Sequence, residues 1–348
     1  MAATPLASPR GDASGPTFVR CPSGGIVALM IYRRLGRTGL MVSEAGFGGW
    51  AIGGGWGDLR DEEALAALRC AYGLGVNFFD TADVYGHGHS EELISVALGD
   101  VRDRVLIATK AGVDFTRGEP TRHNYQPAYL REALDSSLER LRTTYVDVFQ
   151  LHNPPQKLAR DDSVWDALAD LRASGKIRFF GVSVKSANDA LAYLRAERDS
   201  GQPGRFGDTL QVAYNMLDQE AAARGVFVEA VRQDWGVIAR VPLASGLLAG
   251  KYGAGHYFPP SDWRSMWSPQ RLAESTRRVE TLRFLATPGR SLAQTAIAFV
   301  LSEPAVSTVI SGARSPAQVE ENTTASELAP LPEEDRREAK RLCESDFA

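Results

Sequence analysis

The chain has 348 residues, 44% of them hydrophobic and 24% charged, with a formal net charge of −4. These proportions are ordinary for a globular protein and carry no electrostatic footprint for nucleic acid, so no nucleic-acid partner is expected. Cys21, Cys70 and Cys343 are too few and too far apart for a disulfide framework or a cysteine-held metal, and no apolar run approaches the ~20 residues of a membrane helix; reduced thiols in a cytoplasmic protein, away from membranes, are the expectation.

Residues 1–29 carry Pro5, Pro9, Pro16 and Pro22 among Gly, Ala and Ser, without periodicity. They read as a disordered tail, or as an extension upstream of a start at Met30. Gly24 to Met30 is too short for a signal-peptide core. Residues 30–348 read as one domain. Tyr32 to Val42 flank the turn-like Gly36-Arg37-Thr38-Gly39, which predicts a small hairpin.

From Ala45 onward two periods alternate. Short apolar runs predict buried parallel strands at Ala45–Phe47, Asn77–Phe79, Val105–Thr109, Val146–Leu151, Arg178–Val182, Leu210–Ala213, Val237–Val241 and Ser307–Ile310. Between them run helical stripes: Leu65, Leu68 and Tyr72; Leu130, Leu134, Leu138 and Leu141; Trp165, Leu168 and Leu171; and Leu292, Ala296, Phe299 and Val300. Eight strands alternating with helices over ~300 residues predict a (β/α)8 TIM barrel with the hairpin in front of it. No glycine-rich G-x-G-x-x-G turn follows any strand, which argues against a Rossmann domain. Residues 252–269, with Tyr252, Tyr257, Trp263 and Trp267, form a loop long enough to be a lid. Trp263 and Trp267 fit core packing and pocket lining equally well.

Active sites of such barrels lie at the carboxyl ends of the strands. Asp80, Tyr85, Lys110 and His152 fall at or just beyond three consecutive strand ends. A tyrosine is a poor acid near neutrality, with an ordinary pKa of ~10. A neighbouring ammonium favours its phenolate, a carboxylate fixes the ammonium, and a neutral histidine can orient a carbonyl oxygen. That combination makes an acid–base site without a metal. A metal reading of His87-x-His89 with Asp80 places both histidines among glycines well past the strand, and no metal is expected.

At these residues the chain resembles the aldo-keto reductases. Phe79-Asp80-Thr81-Ala82-Asp83-Val84-Tyr85-Gly86 with Gly88-His89-Ser90-Glu91, then Ala108-Thr109-Lys110 and Gln150-Leu151-His152, occur in the family's order. The resemblance spans Tyr32 to about Asn322. It implies reversible hydride transfer between a nicotinamide cofactor and an aldehyde or ketone. Tyr85 would be the general acid, tuned by Lys110 and Asp80, with His152 orienting the substrate. It also implies cofactor contacts. Gly48, Gly49 and Trp50 end the first strand, Trp50 facing substrate together with Tyr85 and His152. Ser183 and Gln211 would hold the nicotinamide amide, and Arg240 stands where an aromatic ring often stacks. Val184 replaces the usual asparagine after Ser183. Pro242, Leu243, Ser245, Gly246, Leu248 and Lys251 would wrap the pyrophosphate. Gly312, Arg314, Gln318, Glu321 and Asn322 would meet the adenosine phosphate, where a helix start and an arginine favour NADPH, with NADH as the alternative. Glu91 would lie toward the adenosine. The expected partner is a small carbonyl compound, and the expected state is a monomer or a small homo-oligomer. A relative that holds the cofactor and acts through a protein partner, like a channel β-subunit, is the competing reading.

Overall fold

A computed structural model describes residues 30–116, 122–328 and 330–347. The expected tail, residues 1–29, lies outside the described residues. Eight parallel strands close into a barrel: β1 (Ala45–Gly48), β2 (Phe78–Asp80), β3 (Leu106–Ala111), β4 (Val146–His152), β5 (Ile177–Ser183), β6 (Thr209–Ala213), β7 (Gly236–Arg240) and β8 (Val306–Gly312). Each pairs with its neighbours in sequence, and β8 returns to β1 through Val309–Gly312 against Ala45–Gly48. The predicted barrel and hairpin are both present.

The helices follow the strands: α1 (Asp61–Gly73), α2 (His89–Leu98), α3 (Pro127–Leu141), α4 (Asp162–Ala173), α5 (Ala187–Ser200), α6 (Val226–Arg232), α7 (Pro269–Thr281), α8 (Leu292–Leu301), α9 (Pro316–Thr324) and α10 (Glu333–Glu344). Their local signals are those of ordinary helix ends. Asp161 caps α4 and Ser186 caps α5, each accepting from a backbone N–H of the first turn. Ser291 and Gln294 form a capping box on α8. The stripe Leu130, Leu134, Leu138 and Leu141 of α3 is buried against the barrel. Each such leucine contributes about 2 kcal/mol by leaving water.

The barrel interior is a separate cluster. Phe78, Ala108, Val148, Ile238 and Ile310 fill it, and Leu35, Leu40 and Val42 of the hairpin cover its lower end. The hairpin pairs Tyr32–Arg34 with Met41–Ser43 antiparallel. Gly36 lies in its turn with φ +48°, where a Cβ would stand 2.1 Å from the backbone N of Gly236, so only glycine permits this contact. Arg33 fastens the hairpin through Glu44 at 2.7 Å and the carbonyls of Leu301 and Val306 at 3.0 Å each. The lower end is thereby covered, and the main cleft opens at the carboxyl end of the strands.

Two features differ from the sequence reading. Strand ends shift: β2 includes Asp80, β3 includes Lys110 and β4 includes His152, whereas β7 stops at Arg240 and Val241, expected in the strand, turns out of it at positive φ. Asp80, Lys110 and His152 keep the ladder hydrogen bonds of the apolar runs before them. A short antiparallel pair, Val113–Asp114 with Arg122–His123, also follows β3; its two-residue strands are too short for a periodicity to show.

Candidate active site

A cavity of about 690 Å³ occupies the carboxyl end of the barrel. Its floor is set by β2, β3 and β4. Lys110 is fully buried and points its ammonium at three oxygens: Asp80 Oδ1 at 2.5 Å, the Thr81 carbonyl at 2.8 Å and the Tyr85 hydroxyl at 3.3 Å. Asp80 Oδ2 accepts from Gln150 Nε2 at 3.2 Å and from Gln211 Nε2 at 2.7 Å. Ser183 Oγ donates to Gln211 Oε1 at 3.0 Å. One unbroken polar chain therefore links β2, β3, β4, β5 and β6. The His152 ring meets the Tyr85 ring edge-on, with centroids 5.9 Å apart. All four predicted acid–base residues are brought together.

The electrostatics follow from burial. Burial pushes the Tyr85 phenol above its ordinary value, and the ammonium of Lys110 pulls it back only in part. The sequence pointed to a phenol lowered by the ammonium; that pull is present, but desolvation at the floor of the cleft outweighs it. Burial by itself would lower the Lys110 ammonium, but Asp80 and Tyr85 outweigh it and hold the group charged. Burial, then the charges of Lys110 and Arg240, keep His152 well below its usual range, so it is neutral. Its Nδ1 is buried without a hydrogen-bond partner. Tyr125 locks the backbone beneath it, its hydroxyl donating to the carbonyls of His152 and Asn153 at 2.8 Å each.

The rest of the cavity wall combines strand ends, loops and the first turns of α9. Gly48, Trp50, Ser183, Gln211, Arg240, Pro242, Leu243, Ser245, Gly246, Lys251, Gly312, Arg314, Gln318, Glu321 and Asn322 all line the cavity. Leu248 and Gly49 do not. Leu248 is fully buried in the apolar core. A Cβ on Gly49 would fall 2.6 Å from Ser90 Oγ, so this glycine serves the close approach of α2. Glu91 is also off the cavity: its carboxylate is buried, accepting from Thr109 Oγ1 at 2.5 Å and from Arg140 Nε at 2.7 Å, and so ties α2 to β3 and α3. Val184 contributes backbone. Its side chain is fully buried, its N–H donates to Gln211, and its carbonyl accepts from Arg240 Nη2 at 2.9 Å.

The long loop expected at residues 252–269 is present and fastened. The loop from Tyr252 carries a turn of 3-10 helix at Trp263–Met266, and α7 starts at Pro269. Trp263 stacks on Trp50 at 5.2 Å, and Trp267 meets Trp263 edge-on at 5.4 Å, so these two support the pocket's Trp50 from behind. Arg264 is the fastening that sequence reasoning missed. It pairs with Asp262 at 2.6 Å, donates to the Ser245 carbonyl at 3.0 Å, and lies over the rings of Trp56, Tyr252 and Phe258. Arg314 donates to the carbonyl of Trp56 at 2.8 Å and to those of Gly57 and Asp58. Gln150 was also missed, although it precedes His152 by two residues and so shares its face of β4. His89 binds Asp61 at 2.9 Å and His87 stacks on Phe115. Among the described residues, no group of three or more His, Cys, Asp or Glu is placed to hold a metal, and no helix is long and apolar enough to cross a membrane.

The comparisons with known proteins agree with this geometry. The model of the aldo/keto reductase family matches residues 44–344. The aldo-keto reductase YhdN of Bacillus subtilis is 30% identical over 84% of this chain and 87% of its own. A probable voltage-gated potassium channel subunit beta of Oryza sativa is 31% identical over 87% of this chain and 93% of its own. Among solved structures, the glycerol dehydrogenase AKR11B4 from Gluconobacter oxydans superimposes with a TM-score of 0.76 and 29% identity, covering 91% of this chain and 96% of that one. The chain belongs to the aldo/keto reductase family and is an NAD(P)H-dependent oxidoreductase.

Proposed function

We propose that this protein reduces an aldehyde or ketone to an alcohol with NADPH, reversibly, and that Tyr85 is the proton donor. The observation that carries the reading is the Tyr85 hydroxyl 3.3 Å from an ammonium that is itself locked on Asp80. When bound, the cofactor supplies the hydride that adds to the carbonyl carbon. Tyr85, held protonated by burial, gives its proton to the carbonyl oxygen. Lys110 stabilises the phenolate that remains, and Asp80 keeps the ammonium aimed. Neutral His152 donates a hydrogen bond to the same oxygen and fixes the substrate's angle. Trp50 walls the substrate side.

The residues present fit a dinucleotide. Lys251 and Arg314 give the β7–β8 side of the cavity positive charge for phosphates, and the Ser183–Gln211 pair offers amide contacts on the other. Trp56 Nε1 and Arg314 Nε are buried donors without partners, both on residues of the cavity wall. The preference for NADPH rests on Arg314, whose charge would face a 2′-phosphate while it braces residues 56–58.

The test is Tyr85→Phe. Reduction of 4-nitrobenzaldehyde should fall by about a thousandfold, while NADPH affinity, followed by tryptophan fluorescence, stays within about threefold because the hydroxyl is not a cofactor anchor. Retained turnover would end the assignment. The similarity to the rice channel subunit favours one other reading, a cofactor-holding regulatory subunit; wild-type turnover of several carbonyl compounds separates the two.

A further inference from the structure

The cavity has charge at both ends. Lys251 and Arg314 stand on the β7–β8 side, where the cofactor's phosphates are accommodated in the proposed reading. Lys185, after β5, and Arg240, at the end of β7, both line the cavity and act on His152. Lys185 follows β5 and is exposed toward the cleft, and it forms no ion pair among the described residues. Arg240 ends β7, is pinned to the Val184 carbonyl, and has no carboxylate partner among the described residues. The carboxylates that act on Arg240, Asp218 and Asp80, are committed elsewhere, Asp218 accepting from the backbone N–H of Glu220 at 3.3 Å. Asp80 is bound by Lys110, Gln150 and Gln211. Glu321, across the cavity, accepts from Ser291 at 2.7 Å. Asp189, on the helix that Lys185 leads into, is bonded to Ser186 and Gln156. A buried cation without a counter-charge costs free energy unless a ligand supplies one.

We propose that the carbonyl substrate is anionic, carrying a carboxylate or a phosphate that Lys185 grips at the outer end of the pocket, with the fixed charge of Arg240 behind it. This rests on the carbonyl-reductase reading above. The reacting carbonyl then lies at Tyr85 and His152 while the anion lies toward β5, so the two ends of the substrate are read by different strands. A neutral carbonyl compound of the same size has nothing to give Lys185.

The experiment compares matched pairs: succinic semialdehyde against butanal for a carboxylate, and glyceraldehyde 3-phosphate against glyceraldehyde for a phosphate. The wild-type protein should favour the anionic member of at least one pair by about tenfold in kcat/KM, a charge-assisted contact being of that size. Which pair shows it identifies the anion. In Lys185→Met that ratio should collapse toward one through a higher KM for the anionic member, and Lys185→Arg should restore it. A second arm needs no turnover: succinate and inorganic phosphate are titrated against tryptophan fluorescence with NADPH present, and Lys185→Met should weaken the tighter of the two by about fivefold or more. A wild-type ratio near one, or a ratio and an affinity that Lys185→Met leaves alone, overturns the proposal while carbonyl reduction stands. Absence of reduction with all four compounds sinks the reductase reading instead, and the fluorescence arm still decides whether the anion site exists.

Discussion

The two rims of the cleft are built differently. On the β2–β4 side the working groups sit within or next to strands. Asp80 and Lys110 are both at most 2% exposed, and their bonds run between neighbouring strands whose register is fixed. On the β7–β8 side the groups sit in loops. Val241, Ala244 and Ser245 all take positive φ there, a conformation costly for residues other than glycine and for valine above all. That rim is held by side chains reaching across, Arg264 to Ser245 and Arg314 to residues 56–58. The difference separates two tasks. Proton transfer needs groups fixed to a fraction of an ångström, which a barrel floor supplies. Binding and release of a large ligand need a wall that can move, which clasped loops supply.

The contrast can be broken from either side. The largest effect is expected from Lys110→Met on the strand side. It leaves Asp80 buried without its counter-charge and Tyr85 without its ammonium. Turnover should drop by about a hundredfold to ten-thousandfold, and denaturant unfolding should show a loss of about 3–5 kcal/mol. A variant as stable as the wild type would show that Asp80 does not depend on the ammonium. A smaller and different loss is expected from Arg264→Ala on the loop side. NADPH affinity should weaken about tenfold, with the pH profile of turnover unaltered, since the clasp touches no proton-transfer group. A shifted profile would mean that the rims are coupled.

The smallest effect concerns pH. His152 is held below its ordinary pKa, chiefly by burial. Above about pH 6.5 it is neutral both folded and unfolded and contributes no pH dependence. Below that value the unfolded chain takes up a proton that the folded chain refuses, so stability falls as the pH drops. Melting temperatures at pH 7.5 and 5.5 should therefore differ less in His152→Gln than in the wild type. An equal difference would assign the acid sensitivity to other groups; the buried Asp83 is not one of them, because burial and Glu91 push its carboxyl well up, and a carboxyl that keeps its proton in the folded state acts with the opposite sign.

Legibility in the sequence followed the same division. The tetrad could be read because each member lies at the end of an apolar run whose period announces a strand, and a strand fixes direction over a few residues. The barrel could be read from the same alternation. Arg264 and Arg314 could not be assigned their bracing roles. Arg314 meets residues that lie 256 to 258 positions away, and no local pattern encodes which loops will touch. Val184 shows the limit from the other side. As a sequence change it pointed to a lost side-chain contact, whereas its backbone carbonyl is what positions Arg240. The raised Tyr85 phenol was hidden too, because a charge neighbour is visible in sequence and desolvation is not.

The cover at the lower end bears on how the chain is made. Arg33 is bonded to carbonyls 268 and 273 positions later, at the end of α8 and the start of β8. The hairpin therefore cannot complete its contacts until the eighth barrel strand begins to emerge. A barrel finished this way is expected to fold slowly. While it waits on the ribosome, Leu35, Leu40 and Val42 have no barrel floor to cover, and the nascent chain exposes the apolar surface that chaperones recognise.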